Sequence, residues 1–370
     1  MSSSFGKAFT LTTYGESHGA GIGGVVDGCP SGLKLDEALI QRELDRRKPG
    51  YAGTAGTTRR ESDTVHLLSG VFEGLTTGTP IAFHIANENQ HSGAYAGLAA
   101  LWRPGHADMG YDIKYGLRDY RGGGRSSGRE TAARVAGGAI ALVLLAACGV
   151  SVSACATELG GIPASEYGAP DPFGAADRPY AALCEEVIPV WEKLTAAARS
   201  AGDTLGGVVR VEARGVPAGL GEPVFDKLDA VLAHALMSVG AVKAVEIGSG
   251  REAAHMRGSE HNDPFLPPEK SGSRPQAPHM ASNHAGGILG GISTGAPIIV
   301  HCAIKPIPSI AVPQISVNRQ GETVELRIGG RHDICAIPRI VPVLKAMTAL
   351  TLADMLLRQC RMHAVQEGTV

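Results

Sequence analysis

Aromatic side chains are scarce: Phe, Tyr and Trp make up 5% of the 370 residues. That excludes a stacking platform for single-stranded nucleic acid. A basic excess is missing too. Lys and Arg number 34 against 36 Asp and Glu, a net charge of −2, so general nucleic-acid binding by counterion displacement is excluded. The cysteines are Cys29, Cys148, Cys155, Cys184, Cys302, Cys335 and Cys360. They are odd in number and form no Cys-x-x-Cys pair, which argues against a disulfide framework or a structural zinc site. No metal is expected. The chain does not open on a basic stretch followed by an apolar one, so no signal peptide is expected. The longest apolar run, 135–150, carries three glycines and falls short of the ~20 residues that span a bilayer. It reads as a buried helix, with no membrane partner and the cytoplasm as location.

Glycine and proline are abundant, at 50 and 22 residues, well above ordinary usage. Without a Gly-X-Y period they read as turns and as places where backbone approaches a ligand. With 44% hydrophobic and 19% charged residues the chain folds around a sizeable core. Strands are predicted near 9–14, 65–72, 80–85, 207–213, 242–247, 298–304 and 324–328. Helices are predicted over 35–48, 129–148, 183–200, 225–239 and 341–358. Asp36 caps the first of these, and Ser127-x-x-Glu130 has the form of a capping box for the second. Pro189 is expected to bend or split the third. Residues 251–281 lack a period and read as a long mobile loop. Strands and long helices intersperse without steady alternation, which favours α+β. A faint repeat pairs 77–84, TGTPIAFH, with 294–301, TGAPIIVH, as if two halves each supplied an equivalent strand.

Several Gly-rich stretches carry chemistry. Residues 15–19, GESHG, match the G-x-S-x-G elbow and overlap a G-x-G-x-x-G fingerprint. No helix follows, so neither a serine hydrolase nor a dinucleotide fold is expected. What survives is His18 on a Gly-rich turn. Residues 119–131, DYRGGGRSSGRET, place three arginines and three consecutive glycines ahead of a long helix, a composition suited to phosphate or carboxylate. Arg42, Arg46, Arg47 and Lys48 form a basic cluster followed by Arg59 and Arg60. His106 sits in RPGHAD, and Arg331, His332 and Asp333 follow two glycines. Together these indicate acid–base chemistry on a polyanionic small molecule. Each also has a plainer reading as a solvated helix end or a satisfied polar residue.

The blocks GESHG at 15–19, RPGHAD at 103–108, GLRDYRGGGRSSGRET at 116–131, GVPAGLGEPVFDKLDA at 215–230, SNHAGGILGGISTG at 282–295 and GRHD at 330–333 resemble the chorismate synthase family. The resemblance runs in order from about residue 5 to 360. It implies a single domain over 1–370, antiparallel sheets sandwiching a central layer of long helices, and a homotetramer. The implied reaction is anti-1,4 elimination of phosphate from 5-enolpyruvylshikimate 3-phosphate, giving chorismate, the seventh step of the shikimate pathway. Reduced FMN is required with no net redox change, and NADPH is a candidate reductant. By the same resemblance His18, His106 and Asp333 are catalytic: His18 donates a proton near the leaving phosphate, His106 stabilises the reduced flavin and Asp333 assists proton removal. Arg125, Ser126, Ser127, Gly240, Ala241, Gly290, Lys305, Pro306, Ile307, Pro308, Ser309 and Arg331 fall on flavin positions. Arg46, Arg47 and Arg129 fall on positions that hold substrate phosphate and carboxylates. The family pattern has an arginine soon after Pro49-Gly50; here 51–56 has none, and Gly240 stands where relatives often carry Asn. Two rival readings are an NADPH-dependent flavin oxidoreductase acting on a phosphorylated acid, and a non-catalytic phosphometabolite-binding protein.

Overall fold

A computed structural model describes residues 3–48, 62–88, 99–267, 279–318, 320–328 and 333–362. The first half runs β1 (Ser4–Phe5), β2 (Thr10–Gly15), β3 (Gly21–Asp27), α1 (Glu37–Arg47), β4 (Val65–Leu67), a hairpin of β5 (Val71–Phe72) and β6 (Leu75–Thr76), then β7 (Ile81–Ala86). A short helix, α2 (Asp108–Tyr115), precedes the long α3 (Thr131–Ala147). The sheet order is β1-β2-β3-β7-β4, antiparallel throughout. Helix α1 forms because the Asp36 carboxylate accepts the Leu39 N–H at 2.8 Å and because Ile40 and Leu44, one turn apart, are both fully buried.

The second half repeats the plan. It runs β8 (Ser151–Leu159), β9 (Ile162–Pro163), α4 (Ile188–Ala201), β10 (Gly207–Arg214), α5 (Leu228–Met237), β11 (Val242–Ile247) and α6 (Gly258–His261). A pair β12 (Phe265–Leu266) and β13 (His279–Met280) and a hairpin β14 (Ile288–Leu289) and β15 (Ile292–Ser293) lead into β16 (Ile298–Ile304). A ribbon of β17 (Gln314–Val317) and β18 (Thr323–Leu326) precedes the closing helix α7 (Ile337–Cys360). The sheet order is β11-β16-β10-β8-β9. So β7 and β16 occupy equivalent places, each fed by a hairpin and flanked on one side by β4 or β11.

The repeat reaches individual hydrogen bonds. Thr76 Oγ1 donates to the Pro30 carbonyl (2.7 Å) and accepts from Leu33 N–H (3.0 Å). Ser293 Oγ donates to the Pro217 carbonyl (2.6 Å) and accepts from Leu220 N–H (2.9 Å). Both hydroxyls lock a Pro-x-Gly-Leu turn that feeds a helix. The short echo in the sequence is thus the visible part of a twofold structural repeat.

Helices α3 and α7 pair at the centre, with α3 against the first sheet and α7 against the second. Gly138 backs onto Ala346 so closely that no side chain fits there. One hydrophobic cluster runs from Phe9 through both helices to Met355, and the chain is α+β as read from the sequence. By length and composition both long helices could cross a membrane, but they are largely buried inside the protein. All seven cysteines are free.

Four expectations are corrected. The strand predicted over 65–72 is two strands broken at Leu68–Gly70, because Gly70 has φ +81°. Pro189 does not split a helix; it occupies the first turn of α4, where a missing N–H costs nothing. The closing helix starts four residues earlier than read, with Pro338 in its first turn and Pro342 inside. The 251–281 stretch is in part ordered: it holds a 3₁₀ turn, α6 and the β12–β13 pair, while 268–278 lie outside the described residues.

Candidate active site

His18 lies on the turn between β2 and β3, with Nδ1 3.2 Å from the Ser17 hydroxyl. Asn87, just after β7, fastens that turn: its amide donates to the carbonyls of Glu16 (2.8 Å) and Gly19 (2.9 Å). Its Oδ1 accepts from Arg129 Nε at 3.0 Å. Above this turn folds the Gly-rich loop. Gly122 has φ +68°, and a Cβ there would stand 2.6 Å from His18 Cε1. Gly123 has φ +89°, and its Cβ would stand 3.0 Å from His106 Cε1. Two successive glycines therefore let one strip of backbone lie against both imidazoles.

The rest of the loop is tied down. Arg125 donates to the Gly15 carbonyl (3.0 Å) and to Thr13 Oγ1 (2.9 Å). Ser126 Oγ donates to the Gly123 carbonyl at 2.7 Å. The capping box predicted at Ser127 and Glu130 does not form. Two 3₁₀ turns intervene and α3 begins only at Thr131. Ser127 Oγ accepts from Arg129 N–H (3.3 Å), while the Glu130 carboxylate pairs with Arg134 at 3.0 Å.

The three arginines expected to hold substrate have different fates. Arg47 is 1% exposed. It donates to Thr131 Oγ1 (3.0 Å), the Asp63 carboxylate (3.1 Å) and the Gly128 carbonyl (2.8 Å). Arg129 pairs with the other oxygen of Asp63. The Asp63 side chain is wholly buried; burial alone would raise its pKa, but Arg47 and Arg129 hold it below the usual carboxylate range. Arg129 is thus the arginine beside the His18 turn, and Arg47 is a buried brace behind it. Arg46 does not join them. One step along the helix turns it by about 100°, and it pairs with Glu43 (2.7 Å) and Asp177 (3.4 Å).

His106 is oriented by a residue the sequence reading did not single out. Its Nδ1 is 2.8 Å from Asp108 Oδ1 and 3.0 Å from Arg103 Nη2, so the ring is held from its Nδ1 side. Arg103 and Arg118 hold the same carboxylate at 2.7 and 3.3 Å. Burial opposes ionisation of Asp108, yet hydrogen bonds from Arg103 and His106 hold its pKa far below the ordinary value. Asp333 pairs with Arg339 at 3.1 Å on the first turn of α7. Arg339 also acts on Asp63. Asp333 is thereby joined through charge to the Arg129 cluster, and the starts of α3 and α7 lie at one end.

The segments assigned to flavin meet beside His106. Lys305 N–H donates to the Ala241 carbonyl (2.9 Å), and Lys305 Nζ to the Gly105 carbonyl (2.6 Å). Pro308 abuts Gly105, and the Ile307 carbonyl accepts from Thr204 Oγ1 at 2.7 Å. Arg134 on α3 donates to Ser238 Oγ at 2.7 Å, bringing Gly240 and Ala241 towards the Gly-rich loop. A Cβ on Gly240 would have no atom within 4 Å, so open space faces it. Burial and neighbouring Lys243 lower the pKa of Lys305. Lys305 beside this open space suits an anionic group, which is the chemistry of a flavin phosphate. Pro306 and Ser309 lie in the same segment. Gly290 is on the β14–β15 hairpin next to Gly291, whose carbonyl accepts from Leu228 at the start of α5. Gly240 follows the far end of that helix, a 10-residue element about 15 Å long. Arg331 lies outside the described residues.

Asp63, Asn87 and Asp108 were missed by the sequence reading. Only Asp108 left a signal, as a carboxylate two residues after a histidine.

Comparison with known proteins identifies the family. The family profile for chorismate synthase matches residues 9–357. The chorismate synthase of Nitratidesulfovibrio vulgaris (strain Miyazaki F) is 64% identical over 360 residues, covering 97% of this chain and 98% of the relative. That of Desulfovibrio desulfuricans is 65% identical over 359 residues, with the same coverage. A crystal structure of a chorismate synthase superposes with a TM-score of 0.76 at 32% identity, covering 96% of this chain and 93% of that one.

Proposed function

This chain belongs to the chorismate synthase family, and from that premise we propose that it eliminates phosphate from 5-enolpyruvylshikimate 3-phosphate to give chorismate. The observation that carries this reading is the placement of His18 and His106 against successive glycines of one loop, with Arg129 and its buried partner Asp63 beside them. Arg129 binds an anionic group of the substrate, and His18 delivers a proton to the departing phosphate. His106, held on its Nδ1 side by Asp108 and Arg103, would help hold the reduced flavin. Asp333 accepts or relays the proton taken from C6. Reduced FMN, when bound, supplies electron density to the allylic system while the phosphate leaves. Arg125, Ser126, Ser127, Gly240, Ala241 and the 305–309 segment would hold it.

The same reading makes 1–370 one domain, the working unit a homotetramer, the location the cytoplasm and the step the seventh of the shikimate pathway. The single hydrophobic cluster through both halves supports one domain.

The test is anaerobic. Purified protein is mixed with 5-enolpyruvylshikimate 3-phosphate and chemically reduced FMN, and phosphate and chorismate are followed, with oxidised FMN as control. Product only with reduced flavin, and no flavin consumed, is the expected result. NADPH enters as a variable: one NADPH oxidised per product would favour the oxidoreductase reading. Binding without turnover, indifferent to His18→Ala, would favour a binding protein.

A further inference from the structure

The turn that carries His18 is gripped by its carbonyls. The Glu16 carbonyl, two residues before the imidazole, and the Gly19 carbonyl, one residue after it, both accept from Asn87 Nδ2, at 2.8 and 2.9 Å. The Asn87 N–H donates to the next carbonyl, that of Ala20, at 3.1 Å. Within the turn, the Gly19 N–H reaches back to the Glu16 carbonyl at a long 3.3 Å. The sheet places Asn87 for this. Ala86, the last residue of β7, pairs with Gly21, the first of β3, so Asn87 stands beside the turn from which β3 emerges.

The other end of the same side chain faces a cation. Asn87 Oδ1 accepts from Arg129 Nε at 3.0 Å, and the Ala86 carbonyl accepts from Arg129 Nη2 at 3.4 Å. These neighbours dictate which way the amide points, since carbonyls only accept and a guanidinium only donates. Neither aspartate nor glutamine meets both demands. Aspartate would set an oxygen against two carbonyls, and glutamine would carry the amide one methylene too far. Arg129 is itself anchored on the buried Asp63. One short side chain thus sets the His18 turn against an arginine fixed to the protein interior.

We propose that Asn87 is a positioning residue for His18: by joining the His18 turn to Arg129, it fixes where the proton donor stands relative to the anion that Arg129 binds. The inference rests on the reaction proposed above. Asn87 acts through His18, and displacing a catalytic group by about 1 Å costs on the order of 10²-fold in rate. The effect therefore falls on kcat. Arg129 keeps Asp63 whatever replaces Asn87, so anion binding is retained.

The test is Asn87→Asp in the anaerobic assay, with a second readout that needs no turnover. Aspartate keeps an acceptor for Arg129 and loses both donors to the turn. kcat is expected to fall about tenfold or more, and KM for 5-enolpyruvylshikimate 3-phosphate to change less than about threefold, the mark of an interaction needed in the transition state. The second readout is carbethoxylation of His18 by diethyl pyrocarbonate, followed by mass spectrometry. His18 is the only histidine between Lys7 and Lys34, so its tryptic peptide reports it alone. The loosened turn should react about threefold faster or more in the folded, substrate-free variant. Should Asn87→Asp fail to fold, Asn87→Gln replaces it with the same expectations. Unchanged kcat in a folded variant would overturn the proposal. A rise in KM alone would make Asn87 a support for Arg129 only, and would overturn it too. No chorismate from the wild type would refute the reaction itself, and carbethoxylation then judges Asn87 separately: an unchanged rate at His18 overturns the positioning role. Loss of folding in both variants would make Asn87 structural and overturn it as well.

Discussion

Asp63 and Arg129 form an ion pair whose acidic member is completely buried, and the second oxygen of the same carboxylate is held by Arg47. One acid thus fixes two arginines from opposite ends of the first half, one at the end of α1 and one just before α3. It neutralises a brace that has almost no access to water, and it keeps Arg129 beside the His18 turn.

Asp63→Asn keeps the shape and removes the charge. Arg47 is then left buried without its counter-ion, a change that typically costs about 3–5 kcal/mol. The melting temperature is expected to fall, and KM for the phosphorylated substrate to rise on the order of tenfold, with a smaller change in kcat. A folded variant with unchanged KM would remove Arg129 from the anion site.

Gly122→Ala tests the loop against His18. The added Cβ meets the ring at 2.6 Å, and the backbone has φ +68°. The left-handed conformation alone costs about 1–2 kcal/mol for a residue with a side chain. Turnover is expected to drop at least tenfold as the imidazole is pushed aside. Gly128→Ala is the control, since nothing lies within 4 Å of its Cβ and its φ is not positive. Equal effects of the two would mean that the loop merely needs to fold.

Much of this was legible in the sequence, for reasons that particular residues make plain. Helix α1 could be read because its signals are local: Asp36 caps it, and Ile40 and Leu44 recur at helical spacing. The repeat at 77–84 and 294–301 was visible because a turn and an alternating strand are local patterns as well. Asp63 was not legible. Its partners lie 16 and 66 residues away, and a single acid carries no period. Asn87 is the same case. The distinction between Arg46 and Arg47 was hidden because spacing sets their angle but not which side of α1 the loop before α3 covers. Proline misled at Pro189, because a proline in the first turn of a helix is compatible with the helix it was expected to break.

His106→Ala separates a catalytic imidazole from a packing one. The ring is held at Nδ1 by Asp108 and packs under Gly123. Loss of a positioned proton-transfer or hydrogen-bonding group costs on the order of 10²–10⁴ in rate. Turnover should fall in that range with the melting temperature little changed. A variant that loses stability but keeps its rate would make His106 structural.

Asp333→Asn should retain FMN and substrate binding and lose most turnover. Asparagine preserves the contact with Arg339 but cannot take a proton. Equilibrium binding of reduced FMN and single-turnover phosphate release distinguish the two effects. Near-normal turnover would remove Asp333 from the chemistry, and lost flavin binding would recast it as a positioning residue.

Acid stability follows from Asp63 and Asp108. Burial opposes ionisation at both, but guanidinium partners, and for Asp108 also His106, prevail and depress their folded pKa values. A depressed carboxylate contributes stability that is complete above the unfolded value of about 3.9. That contribution is lost as pH falls from there through the folded value, because the unfolded chain takes up the proton first. Urea midpoints should therefore be insensitive to these two groups from neutral pH down to about 4 and fall below it. Asp108→Asn should be less stable than the wild type at neutral pH by about 3–5 kcal/mol, since Arg103 and Arg118 lose their buried partner. Its decline below about pH 4 should be shallower by roughly one proton, because one depressed carboxylate is gone. Parallel declines in the two proteins would mean that Asp108 is not held ionised by its arginines, and the fixed orientation of His106 would lose its physical basis.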